Sequence, residues 1–361
     1  MLLPGSDRSS EPLKELRVVA IGGGTGLSTL LRGLKKYVPM RDRRKTPREG
    51  EQARPFLSAH DARWIIRELS AVVTVSDDGG SSGRLREDFK MLPPGDVRNC
   101  MVALSEDEHL LSQLFRYRFN QGELDGHSFG NLFVAALSHI TGDFAQAVQM
   151  SSQILAIRGK IYPATNTDVT LAAQMDDGSL VRGETNITAS KQRIDKLMLE
   201  PAAVHPLPET LAAIASADII TVGPGSLYTS LIPNLLVRGV PEALAASPAT
   251  KVFVCNLMTQ ANESLGLSAS QHIEKILQHA GKTKSPIFDY ALINTAPISA
   301  GRREQYAREG QEPIEADLDR VKALGVEPLT GNFVHEGDVL RHDYDRVAEA
   351  LLELRSMAVA V

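Results

Sequence analysis

Residues 16–35 read LRVVAIGGGTGLSTLLRGLK, and this stretch decides the fold class. Its first six residues are apolar apart from one arginine and rich in β-branched side chains, as in a buried strand. Leucines then recur at positions 27, 30, 31 and 34, the spacing of one helix face. The tight turn between strand and helix consists of Gly22, Gly23, Gly24, Thr25 and Gly26. Its backbone N–H groups and the positive end of the helix dipole favour a phosphate; a tight turn without a ligand is the alternative.

Strands followed by helices recur along the rest of the chain. Apolar runs at 69–75, 218–222, 251–256 and 288–293 predict strands, and periodic patterns at 208–216, 268–280 and 343–358 predict helices. Alternation of this kind is typical of a mostly parallel sheet covered by helices. We therefore expect a Rossmann-like, doubly wound α/β fold, with residues 16–361 in a single domain.

Four other segments depart from this alternation. Helical patterns over about 97–155 predict a helical insertion or cap. Short alternating runs over 159–189, with a turn at Asp177-Gly178, predict a small antiparallel β addition. Residues 40–62 are polar and mixed in charge, which predicts a surface insertion, and residues 1–15 are predicted to form a disordered leader.

The composition disfavours several classes of protein. No apolar run in the 361 residues approaches the roughly 20 residues of a membrane-spanning helix. A net charge of −5 argues against general nucleic-acid binding, which needs a basic face. The two cysteines, Cys100 and Cys255, belong to no metal-binding or disulfide pattern, and the polar N-terminus lacks the apolar segment of a signal peptide. We expect a soluble, cytoplasmic protein with reduced cysteines.

A pair of carboxylates follows the second predicted strand. Asp77 and Asp78 stand where ligands bind in open α/β sheets, at the carboxyl end of a strand. Such a pair can hold Mg²⁺ or accept hydrogen bonds from a ribose, and a solvated turn is the alternative. The neighbouring residues that suit a phosphorylated ligand are Ser81, Ser82 and Arg84.

Two further motifs place polar residues at predicted helix starts. In the string LPPGDVRN, Asp96 is predicted to be an N-cap. Arg98 follows in the first turn beside Asn99, where a cation is unfavourable to the helix dipole, so Arg98 is expected to face an anion. His127 and Asn131 flank the start of another helix, where they either contact a ligand or complete the cap.

The last two motifs lie in the second half of the chain. The turn Gly223-Pro224-Gly225-Ser226 follows a predicted strand and repeats the pattern of an anion site at a helix start. Arg341-His342-Asp343 precedes the last predicted helix, and Asp343 is its predicted N-cap. No nucleophile with an adjacent base is apparent, which disfavours hydrolysis by a catalytic triad.

Together these motifs resemble those of the YvcK group, the gluconeogenesis-factor branch of the CofD-like superfamily. The resemblance covers about residues 17–350 and rests on the strings AIGGGTGLSTLLRGLK, VTVSDDGGSSGRLR, MLPPGDVRNCMVAL, GHSFGNLFVAAL, TVGPGSLYTSLIPNLLV, NLMTQANES and RHD. It implies a cytoplasmic Rossmann-like protein that is needed for cell shape and for growth on gluconeogenic carbon sources. It also implies binding of nucleotide sugars such as UDP-N-acetylglucosamine, with no established reaction.

The resemblance also implies roles for particular residues. The CofD relatives are Mg²⁺-dependent transferases in which the matches of the first glycine turn and of Asp77 and Asp78 handle nucleotide and metal. In the YvcK group the match of Arg341 helps to hold the UDP-sugar. The chain departs from the family at Tyr344, where some relatives have a phosphorylatable threonine, and at residues 261–264, which read ANES where P-G-E-T is common.

These inferences lead to one expected function and one rival. We expect a sensor, working as a homodimer, that couples nucleotide-sugar supply to peptidoglycan synthesis through cell-wall or regulatory partner proteins, with the ligand's diphosphate on the two glycine turns. The residues expected to supply positive charge or to read polar groups are Arg84, Arg98, Arg341, Asn131 and Asn256. The rival is a Mg²⁺-dependent CofD-like transferase of phospholactate or nucleotidyl type. A dehydrogenase is disfavoured because the glycine spacing departs from G-x-G-x-x-G.

Overall fold

The computed structural model describes residues 14–39, 64–106 and 110–358. Their strands are β1 (Lys14–Gly22), β2 (Trp64–Val73), β3 (Lys160–Pro163), β4 (Thr170–Met175), β5 (Leu180–Arg182), β6 (Ile194–Glu200), β7 (Ile219–Val222), β8 (Thr250–Val254), β9 (Tyr290–Asn294), β10 (Glu327–Gly331), β11 (Val334–Glu336) and β12 (Leu340–His342). Their helices are α1 (Gly24–Lys35), α2 (Gly80–Phe89), α3 (Gly95–Leu104), α4 (Leu110–Arg116), α5 (Phe129–Thr141), α6 (Phe144–Ile154), α7 (Glu184–Ala189), α8 (Pro208–Ser216), α9 (Ile232–Leu236), α10 (Val240–Ala246), α11 (Ala269–Ala280), α12 (Ala300–Ala307), α13 (Leu318–Ala323) and α14 (Tyr344–Ala358). A π-helical turn at Leu227–Leu231 precedes α9.

Seven strands form one parallel sheet in the order β10-β9-β8-β7-β1-β2-β3. The chain first adds strands on one side of β1 and later returns to its other side to add β7 to β10. Right-handed crossovers in opposite directions put their helices on opposite faces, and accordingly α1 packs with α3 and α14, whereas α9 packs with α10 and α11. The predicted doubly wound α/β fold is confirmed. Its direction reverses between β1 and β7, the switch point where such sheets bind ligands.

The stretch of sequence at residues 16–35 folds as expected. Its four helix leucines at positions 27, 30, 31 and 34 are all buried in the core together with Ile21 at the end of β1. The strand begins at Lys14, two residues before the predicted start, so the last two residues of the predicted leader belong to β1. Residues 1–13 of that leader and the predicted insertion at 40–62 lie outside the described residues.

The helical insertion is present as α3 to α6, between β2 and β3. The predicted antiparallel addition exists as a three-stranded sheet in the order β5-β4-β6, and its predicted turn at Asp177-Gly178 joins β4 to β5, but two of the predicted strand segments lie elsewhere. The run KIYP forms β3, which pairs in parallel with β2 at the edge of the main sheet, and residues predicted to continue a strand form α7. A run of four residues carries no signal for which neighbour it will pair with.

The C-terminal third contains elements that the patterns did not predict. Strand β10 extends the main sheet beside β9, and the hairpin β11–β12 lies over the end of β8. There the buried His342 donates from Nε2 to the carbonyl of Cys255 at 3.0 Å. Cys100 and Cys255 are both buried free thiols. Within the ranges described above, no helix is both long and apolar enough to cross a bilayer.

Candidate functional site

The two glycine turns meet at the switch point between β1 and β7. A Cβ atom at Gly26 would lie 2.4 Å from the carbonyl oxygen of Pro224, so only glycine permits this approach. Asn234 in α9 binds the first turn as well, because its Nδ2 donates to the carbonyl of Gly22 at 3.1 Å. The structure therefore brings together the two segments that were predicted to share one diphosphate.

Asn256 holds the second turn in place. Its Oδ1 accepts from the N–H of Gly225 at 3.1 Å, and its Nδ2 donates to the carbonyl of the same residue at 2.7 Å. Gln260 adds a bond from its Nε2 to the hydroxyl of Ser226 at 2.9 Å. Asn256 therefore positions the second turn, and its predicted contact with polar groups of a ligand stays a prediction.

A carboxylate of the chain lies at the start of the helix after each turn. The backbone N–H of Gly24 donates to Asp96, whose pKa is raised to about 6 by burial and, less, by the charge of Asp77. Glu263 lies beside the backbone N–H of Tyr228, and burial raises its pKa to about 7. Both helix starts that were predicted to be free for phosphate are therefore already contacted by an acidic side chain.

Asp96 is not the N-cap that the sequence predicted. Helix α3 begins at Gly95 with Pro94 in the N-cap position, which puts Asp96 in the first turn. From there its Oδ2 reaches the glycine turn, where a Cβ atom at Gly23 would lie 2.7 Å from it. Arg98, two residues on, donates from Nη2 to Oδ1 of Asn99 at 2.8 Å, so its described partner is an amide where an anion was expected.

The two aspartates after β2 make different contacts. Asp78 Oδ1 accepts from both the backbone N–H and the hydroxyl of Thr185, at 2.9 and 2.7 Å, and so ties α7 and the antiparallel sheet to the main sheet. Asp77 Oδ1 accepts from the N–H of Gly79 at 2.9 Å, while its Oδ2 lies on the side of Gly95. Asp77 is therefore the member of the pair that faces the glycine turns.

Glu184, at the start of α7, is a site residue that the sequence did not indicate. Burial raises its pKa to about 9, and the charges of Asp77, Asp96, Glu263 and Asp78 add to the effect. It follows Gly183 in a run that was predicted as a strand, so no local pattern marked it. The tertiary fold thus gathers five carboxyl groups at this edge of the sheet.

A divalent cation suits this concentration of negative charge. Among the described residues, no three His, Cys, Asp or Glu side chains are arranged to hold a metal ion together. Mg²⁺, however, is commonly held by one or two carboxylates and completes its shell with water and phosphate oxygens. The residues present fit such a site, with Asp77 as the ligand from the predicted pair and Asp78 occupied by Thr185.

His127 and Asn131 join two helix starts. Nδ1 of His127 lies 3.0 Å from the hydroxyl of Ser81, to which Asn131 Nδ2 also donates at 3.1 Å. Ser128 caps α5 by accepting from the N–H of Asn131, so the capping interpretation of this motif holds. Ser82 is buried, and a Cβ at Gly95 would lie 2.5 Å from its hydroxyl.

Within the described residues, neither Arg341 nor Arg84 forms a hydrogen bond to a glycine turn. Arg84 donates from Nη2 to the carbonyl of Asp125 at 2.6 Å, in the helical insertion. Arg341 is exposed in β12 opposite His335, and within the described residues it has no hydrogen bond or ion pair. Asp343 accepts from the N–H groups of Asp345 and Arg346 at 3.2 Å each, which confirms it as the cap of α14.

Comparison with known proteins agrees with this arrangement. Residues 18–334 match the family model described as 2-phospho-L-lactate transferase CofD. The chain is 46% identical over 343 residues to the gluconeogenesis factor of Halalkalibacterium halodurans, covering 94% of this chain and 97% of that protein. It is 43% identical over 340 residues to the gluconeogenesis factor of Bacillus subtilis, covering 94% and 98%.

The fold has a solved counterpart as well. The crystal structure of a UPF0052 family protein from Bacillus halodurans superposes with a TM-score of 0.84 at 46% identity, covering 94% of this chain and 100% of that one. The chain therefore belongs to the CofD-like family, in the branch that contains the gluconeogenesis factors.

Proposed function

We propose that this protein binds a nucleotide sugar of the UDP-N-acetylglucosamine class and acts as a cytoplasmic sensor that couples its supply to peptidoglycan synthesis and cell shape during gluconeogenic growth. The observation that carries the proposal is the contact between the two glycine turns. A diphosphate needs several N–H donors in one small space, and two helix starts that converge supply them. The name of both relatives supports the metabolic part of the proposal.

The carboxylates at the turns set a condition on the ligand. Asp96 and Glu263 lie beside the N–H groups that a diphosphate would use, and negative charge on them would repel it. A diphosphate that carries Mg²⁺ has less negative charge than a free one. Asp77 and the phosphate oxygens would hold the Mg²⁺ ion. When bound, the ion would neutralise part of the negative charge of the diphosphate and the carboxylates. We therefore expect Mg²⁺ to strengthen binding.

Calorimetry with UDP-N-acetylglucosamine, GTP and NAD, each with and without Mg²⁺, tests the proposal. The expected result is binding of the sugar nucleotide, tighter with Mg²⁺, and weaker or no binding of the other two. Absence of UDP-sugar binding at about 1 mM, a limit that corresponds to roughly 4 kcal/mol of binding free energy, would overturn the proposal. Preferred binding of GTP or NAD would assign the site to a different nucleotide.

The carboxylates also favour a second candidate, a Mg²⁺-dependent transferase. Five carboxyl groups around one strand end are more than ligand recognition needs, and the matching family model describes a transferase. The variant that separates the candidates is Asp77→Asn, because Asp78→Asn would also loosen α7. Mg²⁺-dependent turnover lost in Asp77→Asn but kept in Asp319→Asn, an exposed control in α13, would favour the enzyme.

We also propose that the protein is a homodimer and that it acts by binding cell-wall or regulatory proteins. Large apolar side chains on the helical insertion support a protein contact there, since Leu110 is 73% exposed and Ile140 is 74% exposed. Light scattering of the purified chain measures the mass directly. A monomer at all concentrations would remove the dimer from the proposal without affecting the nucleotide site.

A further inference from the structure

Four arginines come together in and beside the helical insertion: Arg84 in α2, Arg98 in α3, Arg116 at the end of α4 and Arg118 just after it. Arg84 donates to the carbonyl of Asp125 and Arg118 to the carbonyl of Gly126. Arg84 Nη2 would also lie 2.9 Å from a Cβ atom at Gly126, the residue whose carbonyl accepts from Arg118. Two strongly basic side chains therefore meet on one short loop.

Arg98 and His127 connect the rest of the group. The pKa of Arg98 is lowered first by burial and then by the positive charges of Arg118 and, less, Arg116. The pKa of His127 is lowered by burial and then by the charges of Arg84 and Arg118, against which Asp88 acts. Arg98 therefore lies near Arg116 and Arg118, His127 lies near Arg84 and Arg118, and Arg118 connects the two groups.

Carboxylates offset part of this repulsion, because Asp88 acts on His127 and Asp96 and Asp77 act on Arg98. In the part of the chain that the structure describes, none of the four arginines forms an ion pair. Arg84, Arg116 and Arg118 are exposed, and Nε of Arg98 is buried without a hydrogen-bond partner. In a protein with a net charge of −5, such a local excess of positive charge needs a reason.

The helices around the group add to the positive potential. The bonds from His127 and Asn131 to Ser81 bring the starts of α2 and α5 together, and these helices have 10 and 13 residues. The N-terminus of a helix carries a partial positive charge. Guanidinium groups also match the oxygens of a phosphoryl group, to which each can donate two hydrogen bonds.

We propose that Arg84, Arg98, Arg116 and Arg118 form a binding site for the phosphoryl group of a second small ligand, separate from the diphosphate on the glycine turns. Free phosphate and a phosphate monoester present the same dianionic group. The inference rests on the proposed function in one respect, that the glycine turns take the diphosphate. Asp77 and Asp96 face Arg98 from the side of those turns, so carboxylates separate the two anion sites.

Calorimetry and thermal unfolding of the full chain test this site, with inorganic phosphate and glycerol 3-phosphate as probes and chloride to hold the ionic strength constant. Both probes are expected to bind and to raise the unfolding temperature. Arg116→Gln is the sharpest variant, because Arg116 is exposed and makes no hydrogen bond within the described residues. It should weaken phosphate binding about tenfold, the value of a charge-assisted bond. Arg320→Gln, the same change at an exposed position of α13, should leave phosphate binding unchanged.

Titration of UDP-N-acetylglucosamine into the same samples separates the two proposals. Arg116→Gln should bind the sugar nucleotide as the wild type does, and phosphate and nucleotide should bind together. Three results would overturn the second site: no binding of either inorganic phosphate or glycerol 3-phosphate by the wild type up to about 10 mM, equal binding of the probes by Arg116→Gln, or competition between the probes and the nucleotide. Binding of phosphate without binding of any sugar nucleotide would leave the arginine site standing and refute the proposed function. Binding of glycerol 3-phosphate alone would identify a monoester as the ligand.

Discussion

The side-chain amide of Asn256 binds Gly225 at both of its backbone polar groups, at 3.1 Å to the N–H and 2.7 Å to the carbonyl. Because these bonds fix the second glycine turn, Asn256→Ala should destabilise the protein by about 1 to 3 kcal/mol and weaken nucleotide-sugar binding. Denaturant unfolding and calorimetry measure the two effects. Asn262→Ala, which removes one bond from an exposed loop to the carbonyl of Thr188, is the control with a small expected effect. If Asn256→Ala binds the nucleotide sugar with unchanged affinity, the position of the second glycine turn does not contribute to binding.

Gly26→Ala should disrupt the contact between the two glycine turns. Its Cβ would lie 2.4 Å from the carbonyl oxygen of Pro224, and that atom belongs to backbone that cannot rotate away. We expect a loss of about 1 to 3 kcal/mol in the free energy of unfolding, as for overpacking, together with loss of nucleotide-sugar binding. Gly301→Ala in α12 is the matched control, because nothing lies within 4 Å of its Cβ position. Normal stability and binding in Gly26→Ala would contradict the close approach.

Asp96→Asn should strengthen binding of the sugar nucleotide when Mg²⁺ is absent. The substitution keeps the size of the side chain and an acceptor for the N–H of Gly24, but removes a negative charge from the first turn. The expected gain is about 1 kcal/mol, the interaction of two unit charges about 4 Å apart in water. The gain should shrink when Mg²⁺ is added. Weaker binding without Mg²⁺ would mean that the carboxylate itself contacts the ligand.

Arg341→Ala tests the family role of an arginine that the structure leaves without a partner. Because Arg341 is exposed and makes no described bond, the variant should keep its unfolding temperature. Nucleotide-sugar binding should weaken by about 1.5 to 3 kcal/mol, the value of a charge-assisted hydrogen bond. Arg320→Ala provides the same change away from the site. An affinity equal to the wild type would remove Arg341 from the binding site.

His342 should make the protein less stable as the pH falls below 6.5. Burial lowers its pKa to about 4 in the folded chain, whereas the unfolded chain has the ordinary value of 6.5. Between these two pKa values, the unfolded state binds more protons than the folded state. The free energy of unfolding therefore falls as the pH falls from 6.5 towards 4. Above pH 6.5 the contribution of His342 to this free energy does not change. The loss should reach about 3 kcal/mol.

His342→Gln isolates this effect, since glutamine can still donate to the carbonyl of Cys255 and does not titrate. Denaturant unfolding between pH 5 and pH 7 gives the measurement. Carboxylates with a raised pKa are present in both proteins. Their effect on the pH dependence therefore cancels in the difference between the unfolding free energies of the wild type and the variant. A constant difference over this range would show that His342 is not held neutral.

Local patterns were enough for the elements that carry the first glycine turn. The signals for the buried strand β1 and for the leucine face of α1 lie in short windows of sequence, because each depends on residues close to one another along the chain. The same is true of the cap of α14 at Asp343. The same holds for the aspartate pair, whose place after β2 follows from strand order alone. The patterns failed at β3, where the partner strand decides the pairing.

What the sequence determined by itself is the family, the alternating α/β architecture and the position of both glycine turns at strand ends. Only the tertiary structure decided that β7 returns beside β1, which brings the turns into contact. It also decided that Asp96 and Glu263 lie on the helix starts and that Glu184 joins them. The physical reason is that these contacts join residues 35 or more positions apart, beyond the reach of a local pattern, and their charges act through space.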